Sequence, residues 1–461
     1  MKKLDTTIDL LIKNYASLQD ILTNAKLVSD TVKANGGTPY VVGGAVRDKI
    51  LGKEPKDYDI EVYGLPEEKI VQILSEAGLP VKTAGKDFKV ILAGKGKDAI
   101  DVTLPARAIP KGDSFETVSD SSLDPTEAVQ RRDFTFNAML ADFDALQNID
   151  SYESALKAKQ QGLLIDPTNG LQSLKEGKVE HVNDSVFLVD PLRILRSAQF
   201  SSRFEFDVDE VTKQLMTNPV LREKVEKLDR NKVEEEFVKL ILKGQDVIKG
   251  FKILKDLGIL NLIIPELDKL PEAKFNKNLF LMNKAKKGLI SSPSKKFNYP
   301  KFVAILIDGA RTPEILLKRF MNTNLDRDQV LAIQKTIPQL KNVYDKYLDD
   351  SSDIDLRAAL RRIQISISKT KLEIPDILEV AAFLNPDVFN SKTLVKLNES
   401  YEASKSSIKP LFEGRDLIQK GLKPGPQFKE ILKQLHEMQL DEVFNSKEEG
   451  QKFLDEIVEK L

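Results

Sequence analysis

The apolar residues change their period partway along the chain, and that change limits the fold more than any single motif does. Up to about residue 155, short β-branched and aromatic runs recur at 39–42, 57–62, 88–92, 99–103 and 139–143, with helical patterns at 5–35 and 66–77. Beyond that point, long segments follow the 3.6-residue repeat of an amphipathic helix. They lie at 190–202, 207–217, 231–243 and 246–257, then at 312–321, 326–347, 353–366, 370–383, 392–404 and 427–438. The expected architecture is an α+β head of about 150 residues, built on a small mixed sheet with helices, followed by an all-helical remainder. The stretch 105–130 contains Pro105, Pro110 and Gly112 and few apolar residues, and reads as a mobile loop between two parts of the head.

Composition removes several kinds of chemistry. There is no cysteine, so disulfides, thiolate zinc sites and a cysteine nucleophile are excluded. Only two histidines occur, His181 and His436, far apart in sequence. Carboxylates must therefore carry any metal. No segment approaches the roughly eighteen apolar residues of a membrane span, and the N-terminal Met1-Lys2-Lys3-Leu4-Asp5 lacks a signal-peptide core. A cytoplasmic protein without a membrane partner is expected. The formal net charge of −1 gives no global sign of nucleic-acid binding, so a local basic surface would have to serve.

The first chemical motif is Val41-Val42-Gly43-Gly44-Ala45-Val46-Arg47-Asp48, followed by Asp57-Tyr58-Asp59. Two glycines at a strand end let a phosphate approach the backbone, and Arg47 offers a fork of donors. Alternation puts Asp57 and Asp59 on one face of an extended segment. Two carboxylates beside a phosphate cradle suit Mg²⁺, which takes one or two protein carboxylates plus substrate phosphate oxygens. Attack on a nucleotide's phosphate is the chemistry implied.

A second motif, Arg131-Arg132-Asp133-Phe134-Thr135, places two cations and an acceptor together for phosphate and ribose. Taken alone, it is better explained as a solvated helix cap. A third, Asp190-Pro191-Leu192-Arg193, opens a helix, with Asp190 as N-cap and Pro191 at the first helical position. Asp190 and Arg193 share a helix face. An acceptor beside a rigid donor matches the pairing edge of cytosine or adenine and rejects uracil and guanine, each correct pair being worth about 1–3 kcal/mol.

In order along the chain, GGAVRD with DYD, RRDFTFNAM, LIDPTNGLQSLKEGKVEHV and DPLRILRSAQFSSRF resemble the class II tRNA nucleotidyltransferases (CCA-adding enzymes) and the related bacterial poly(A) polymerases. The likeness runs over about residues 38–265 and returns near the C-terminus in Glu413-Gly414-Arg415-Asp416-Leu417-Ile418. It implies a catalytic head at 1–155, a helical neck at 156–220, a body at 221–350 and a tail at 351–461. By position, Asp57 and Asp59 would hold the metals. Gly43, Gly44 and Arg47 would meet the triphosphate, and Arg131, Arg132 and Asp133 the sugar and phosphates. Asp190 and Arg193 would read the base, and Arg196 would help hold the nucleotide. Asp101 is a candidate third carboxylate, with a solvated strand residue as the more ordinary reading. Three departures stand out: Val189 where Glu is common, Gln199 where a further Arg is common, and Asn231-Lys232-Val233-Glu234-Glu235-Glu236-Phe237 in place of a Glu-Arg-led pattern.

The implied activity is template-independent addition of C, C and A to the tRNA 3′ end, from CTP and then ATP. Poly(A) polymerase, or an enzyme adding only the A, is the alternative. Poly(A) polymerases usually carry a more basic chain, so the neutral balance disfavours that one. For RNA contact, residues 274–307 hold eight lysines and no acid, among them Lys284, Lys286, Lys287, Lys295 and Lys296, interleaved with aromatics. A phosphate-contacting surface and a lysine-rich loop beside aromatic core are equally good readings of that stretch.

Overall fold

The structure is a computed structural model that describes residues 2–84, 90–111, 114–290, 298–347, 353–405 and 408–459. It forms two compact units, Met1–Leu262 and Ile263–Leu461.

The first unit carries nine strands that matter to the site: β1 (Thr38–Val42), β2 (Asp59–Tyr63), β3 (Val81–Ala84), β4 (Val90–Ala93), β5 (Ile100–Thr103), β6 (Ala106–Lys111), β7 (Ser114–Ser119), β8 (Leu140–Ala141) and β9 (Leu164–Ile165). Seven of them form a mixed sheet in the order β3-β4-β5-β2-β1-β8-β9, while β6 and β7 pair apart from it. Helices α1 (Lys2–Ala34), α2 (Gly44–Ile50) and α3 (Glu67–Glu76) belong to the same unit, and α1 packs on α3 and β1. The packed faces carry the apolar residues that the sequence spaces for them: Ala25, Val28 and Val32 on α1, Ile70, Ile73 and Leu74 on α3, Ile60 and Val62 on β2. Register is what matters for chemistry. β1 runs antiparallel to β2 with Val42 opposite Asp59, and β2 runs parallel to β5 with Asp59 beside Asp101. β1 also pairs with β8, Val42 opposite Leu140. One edge of the sheet thus collects the end of β1, the start of β2, a residue of β5 and the segment leading into β8.

The segment 105–130 is not a mobile loop. It contains the β6–β7 hairpin, with Ala106 opposite Ser119 and Lys111 opposite Ser114, and then a short helix, Pro125–Ala128, capped by the Asp124 side chain. The sequence between the two strands, Gly112-Asp113, is a dipeptide that hairpins favour. Pro110 suggests a break, but this ribbon has only two strands, so a residue without an N–H can sit on its open side.

Beyond the sheet, the helix Leu192–Phe204 packs against Arg230–Lys243 and Val247–Asp256. The approach is close at Gly250, where a Cβ would lie 2.8 Å from the Ala198 carbonyl oxygen. The Leu192–Phe204 helix starts one residue later than expected, with Pro191 at the N-cap, while Asp190 Oδ1 accepts the Leu192 N–H at 3.0 Å. The second unit is helical throughout its described residues. Its longer helices are Glu272–Ile290, Asn324–Tyr347, Asp353–Ile367, Ser391–Ser404, Pro426–Leu440 and Lys447–Glu459.

Candidate active site

The edge of the sheet opens into a cleft of about 540 Å³ lined by Gly44, Arg47, Asp48, Lys53, Lys56, Asp57, Asp59, Arg203 and Lys243, among others. A larger hollow of about 810 Å³ lies between Asp353–Arg357 and Ser391–Ala403 in the second unit, but it lacks any glycine turn beside carboxylates.

Asp57 sits just before β2, Asp59 is its first residue, and Asp101 lies beside Asp59 across the parallel pairing. Asp59 feels both neighbours. Desolvation in the cleft, then the charge of Asp101, push its carboxyl up to about 6 from an ordinary 3.8, with Arg132 opposing and Asp57 adding to the rise. Asp101 is raised too, by desolvation and by Asp57. Carboxylates crowded in this way favour a cation among them. Among the described residues no three such side chains are close enough to cage a metal alone. A hard divalent ion can take one or two carboxylates and complete its shell with substrate phosphate and water.

The glycine turn lies next to them. Gly43 has φ 68°, a conformation that side-chain-bearing residues rarely adopt, and its N–H points to the Met139 carbonyl at 3.4 Å. Arg47, one turn into α2, is only 4 % exposed. Its Nε and Nη2 donate to Asp48 Oδ1, its Nη1 donates to Asn137 Oδ1 at 2.6 Å, and its guanidinium stacks over Phe204. In this structure the fork expected to meet phosphate is engaged by protein acceptors, so Arg47 holds the turn, and a phosphate has to share its donors.

The RRD motif folds back on the same edge. Arg131 Nη2 and Arg132 Nη2 both donate to Glu61 Oε2, at 3.0 and 3.2 Å. Asp133 accepts from Arg196 Nε at 2.8 Å and from Arg196 Nη2, from Asn137 Nδ2 at 3.1 Å, and from the Phe134 N–H. Burial alone would lift the Asp133 carboxyl, yet Arg196, then Asn137, hold it below the usual range. Asp133 is thus the buried anchor of a helix arginine, a use the sequence does not indicate.

Asp190 and Arg193 are adjacent, Arg193 Nε lying 3.8 Å from Asp190 Oδ2, with the aspartate side chain half-exposed and the arginine buried. Arg193 donates through Nη2 to the Arg131 carbonyl at 2.7 Å and through Nη1 to the Arg132 carbonyl at 3.2 Å. A guanidinium has five N–H groups, so these two bonds leave donors beside the open Asp190 carboxylate. Asp190 and Arg193 are thus neighbours at the start of the helix, and Arg193 is fixed to the backbone of the RRD motif.

Several residues at the site are not singled out by the sequence. Glu61 and Asn137 hold arginines. Arg203, paired with Asp48 at 3.4 Å, joins Lys53, Lys56 and Lys243 in a basic rim of the cleft. Desolvation, then Arg203, Lys239 and Lys56, depress the Lys243 amine, while Asp57 acts the other way. Only the three-dimensional fold reveals this grouping, since these positions are scattered along most of the first unit.

The lysine-rich stretch is not one surface. Lys284 and Lys287 are exposed on Glu272–Ile290, but Lys286 is half-buried, its amine lowered to about 8 by desolvation. Lys301 is 2 % exposed and paired with Asp376 and Glu379, at 2.7 and 2.9 Å, and Lys274 is paired with Asp308. Phe275, Tyr299 and Phe302 are core residues. Lys295 and Lys296 lie outside the described residues. His181 is also structural, bonded to Thr212 Oγ1 and Asp184 Oδ1.

Residues 39–180 match the family model of the poly A polymerase head domain. The multifunctional CCA protein of Nitrosospira multiformis is 31 % identical over 232 residues, covering 50 % of this chain and 50 % of that protein. The multifunctional CCA protein of Laribacter hongkongensis is 34 % identical over 234 residues, 50 % of this chain and 51 % of that protein. The matched region thus spans about half the length of these curated relatives. Among solved structures, the Bacillus stearothermophilus CCA-adding enzyme in complex with CTP superposes with a TM-score of 0.68 at 20 % identity, over 95 % of this chain and 98 % of that one. Residues 39–180 are thus similar to a poly A polymerase head domain, and the fold of the chain is similar to that of solved CCA-adding enzymes.

Proposed function

We propose that this chain adds C, C and A to the 3′ end of tRNA in the cytoplasm, without a template, using CTP and then ATP. The observation that carries the proposal is the register that sets Asp59 opposite Val42, directly before the Gly43-Gly44 turn, and beside Asp101. Carboxylates, a glycine turn and arginines then share one cleft, and the Asp190–Arg193 pair is tied to it through the Arg131 and Arg132 carbonyls.

The tRNA 3′-hydroxyl oxygen forms a bond to the α-phosphorus of the nucleotide, the bond to the β-phosphate oxygen breaks, and pyrophosphate leaves while the hydroxyl gives up its proton. Asp57 and Asp59 would hold Mg²⁺, with Asp101 adding negative charge beside Asp59; when bound, Mg²⁺ would supply positive charge at the reacting oxygens and acidify the attacking hydroxyl. The chain's own residues position the reactants. Gly43 and Gly44 admit the phosphates, Arg132 and the basic rim offset their charge, and Asp190 with Arg193 accepts C or A and rejects U or G. Head, neck, body and tail at 1–155, 156–220, 221–350 and 351–461 serve as the working division. Lys284 and Lys287 remain RNA-contact candidates on the body.

Purified protein given labelled CTP should extend tRNA lacking its 3′ end and leave oligo(A) unextended, with UTP and GTP incorporated at least about tenfold less well. Extension of oligo(A) by ATP, without use of CTP, would favour the poly(A) reading instead. The metal requirement should also depend on pH. With its pKa near 6, the metal-free Asp59 carboxyl is protonated in mild acid, so metal has to displace a proton there. The Mg²⁺ concentration for half-maximal rate should rise steeply as pH falls from about 7.5 to about 5.5, approaching tenfold per unit below about 6. In metal-free protein the sign for folding is reversed from the usual carboxylate. The raised pKa means that stability from this group falls as pH rises from about 4 through about 6. A Mg²⁺ requirement independent of pH would remove Asp59 from the metal site.

A further inference from the structure

Glu61 belongs to the charged network at this edge of the sheet but takes no part in the chemistry above. It is a carboxylate at 0 % exposure on a central strand, two residues past Asp59 and opposite Tyr40. A buried carboxylate is costly unless paired, and an apolar residue would serve the strand as well. Its pairing is specific. Oε1 accepts the Tyr63 hydroxyl at 2.6 Å, and Oε2 accepts both Arg131 Nη2 and Arg132 Nη2. Burial, then the Glu61 charge, push the Tyr63 phenol well up, so its hydroxyl stays a donor.

Two guanidiniums share one Glu61 oxygen, and Arg132 brings its positive charge to the glycine turn. That charge is aimed. A Cβ on Gly43 would lie 3.3 Å from Arg132 Nη1, so the second arm of Arg132 rests against the glycine turn. Arg132 is also the cation that the Asp59 carboxyl feels most. The backbone of the same dipeptide is held independently, its two carbonyls accepting from Arg193. Arg193 therefore fixes where the dipeptide lies, and Glu61 fixes where its charges point.

Building on the nucleotidyl-transfer reading, we infer that Glu61 is a positioning residue for the triphosphate: it holds Arg131 and Arg132 so that Arg132 presents a preorganised charge at the Gly43 turn. It touches neither nucleotide nor metal, and acts through the arginines. The group it serves is the β,γ-diphosphate portion of the incoming nucleotide, not the base or the α-phosphate alone. Loss of Glu61 should then weaken triphosphate binding and leave monophosphate binding nearly unchanged. A merely structural role would weaken both alike.

The test is equilibrium binding of CTP and CMP to full-length wild type, Glu61→Gln, Arg132→Met and the double variant. Glu61→Gln should lower the preference for CTP over CMP by about tenfold, as expected for misplacing a charge-assisted contact. The double variant should match Arg132→Met, since Glu61 acts through that arginine. In turnover with saturating tRNA, KM for CTP should rise while kcat changes less than about threefold. An unchanged CTP-over-CMP preference, or equal loss of both ligands, overturns the inference. If Glu61→Gln does not fold, Tyr63→Phe removes one donor from the same carboxylate. It should shift the preference in the same direction by about threefold, and no shift overturns the inference. Wild type separates the two proposals. Failure to prefer CTP and ATP over UTP and GTP sinks the functional reading, while the triphosphate-over-monophosphate preference still judges Glu61.

Discussion

Replacing Asp59 with Asn should cut nucleotide incorporation by at least about 10³-fold while leaving the fold intact. The change is nearly isosteric, so the start of β2 and its pairings with β1 and β5 keep their geometry. What disappears is one of the two negative charges proposed to hold the metal. The metal-free protein should even gain slightly in stability, because desolvation, then the charge of Asp101, pushes the Asp59 carboxyl up to about 6. Loss of activity with no fall in the unfolding midpoint separates a catalytic role from a structural one. Single-turnover incorporation of labelled CTP is the readout, and a variant retaining more than about a tenth of the wild-type rate would contradict the metal-binding assignment.

Asp133→Ala has the opposite profile, a large loss of stability as well as of activity. Asp133 accepts from Nε and Nη2 of Arg196 and from Asn137, and it links the RRD segment to the Leu192–Phe204 helix. Removing it leaves a guanidinium in a mostly buried setting without its main counter-charge. The expected cost is about 3 kcal/mol, the lower end for breaking a buried pair, because the Arg196 side chain keeps 30 % exposure and lies 3.8 Å from Glu236. A urea titration should show the midpoint falling with little change in slope. The same pair predicts an acid dependence. The Asp133 carboxyl is held below its ordinary value, so its contribution is complete above the unfolded pKa of about 4. That contribution is lost as pH falls through the lower folded value.

The fold is legible wherever local pattern and tertiary role agree. The helix at 326–347 and the strand at 39–42 are visible because their apolar residues recur at the period of the element that buries them. The hairpin β6–β7 is hidden by prolines whose usual meaning is suspended in a two-stranded ribbon. Lys447–Glu459 escapes notice because Gly450 interrupts its first turn. β9 has two residues, too few to show any period, whereas β8 lies within the run read at 139–143.

The residues of the candidate site are legible by type and spacing, but their partners are not. Nothing in Arg131-Arg132 says that both side chains will meet Glu61, far back on a strand, and nothing in Arg193 says that it will bind two backbone carbonyls. Sheet register supplies that information. Lys301 makes the same point in reverse. Its neighbours in sequence suggest a solvated run, yet it is buried against Asp376 and Glu379. Only the packing of the helix Tyr299–Leu306 on the helix Ile374–Leu384 brings those carboxylates near.

The most direct measurement is the sequence of the RNA product. Purified protein is incubated with tRNA ending at the discriminator base and with all four nucleoside triphosphates together, and the extended 3′ ends are read. The account predicts addition of C, C and A in that order, followed by a stop. A run of A without preceding C, addition of U or G at frequencies near those of C and A, or no extension at all would contradict it.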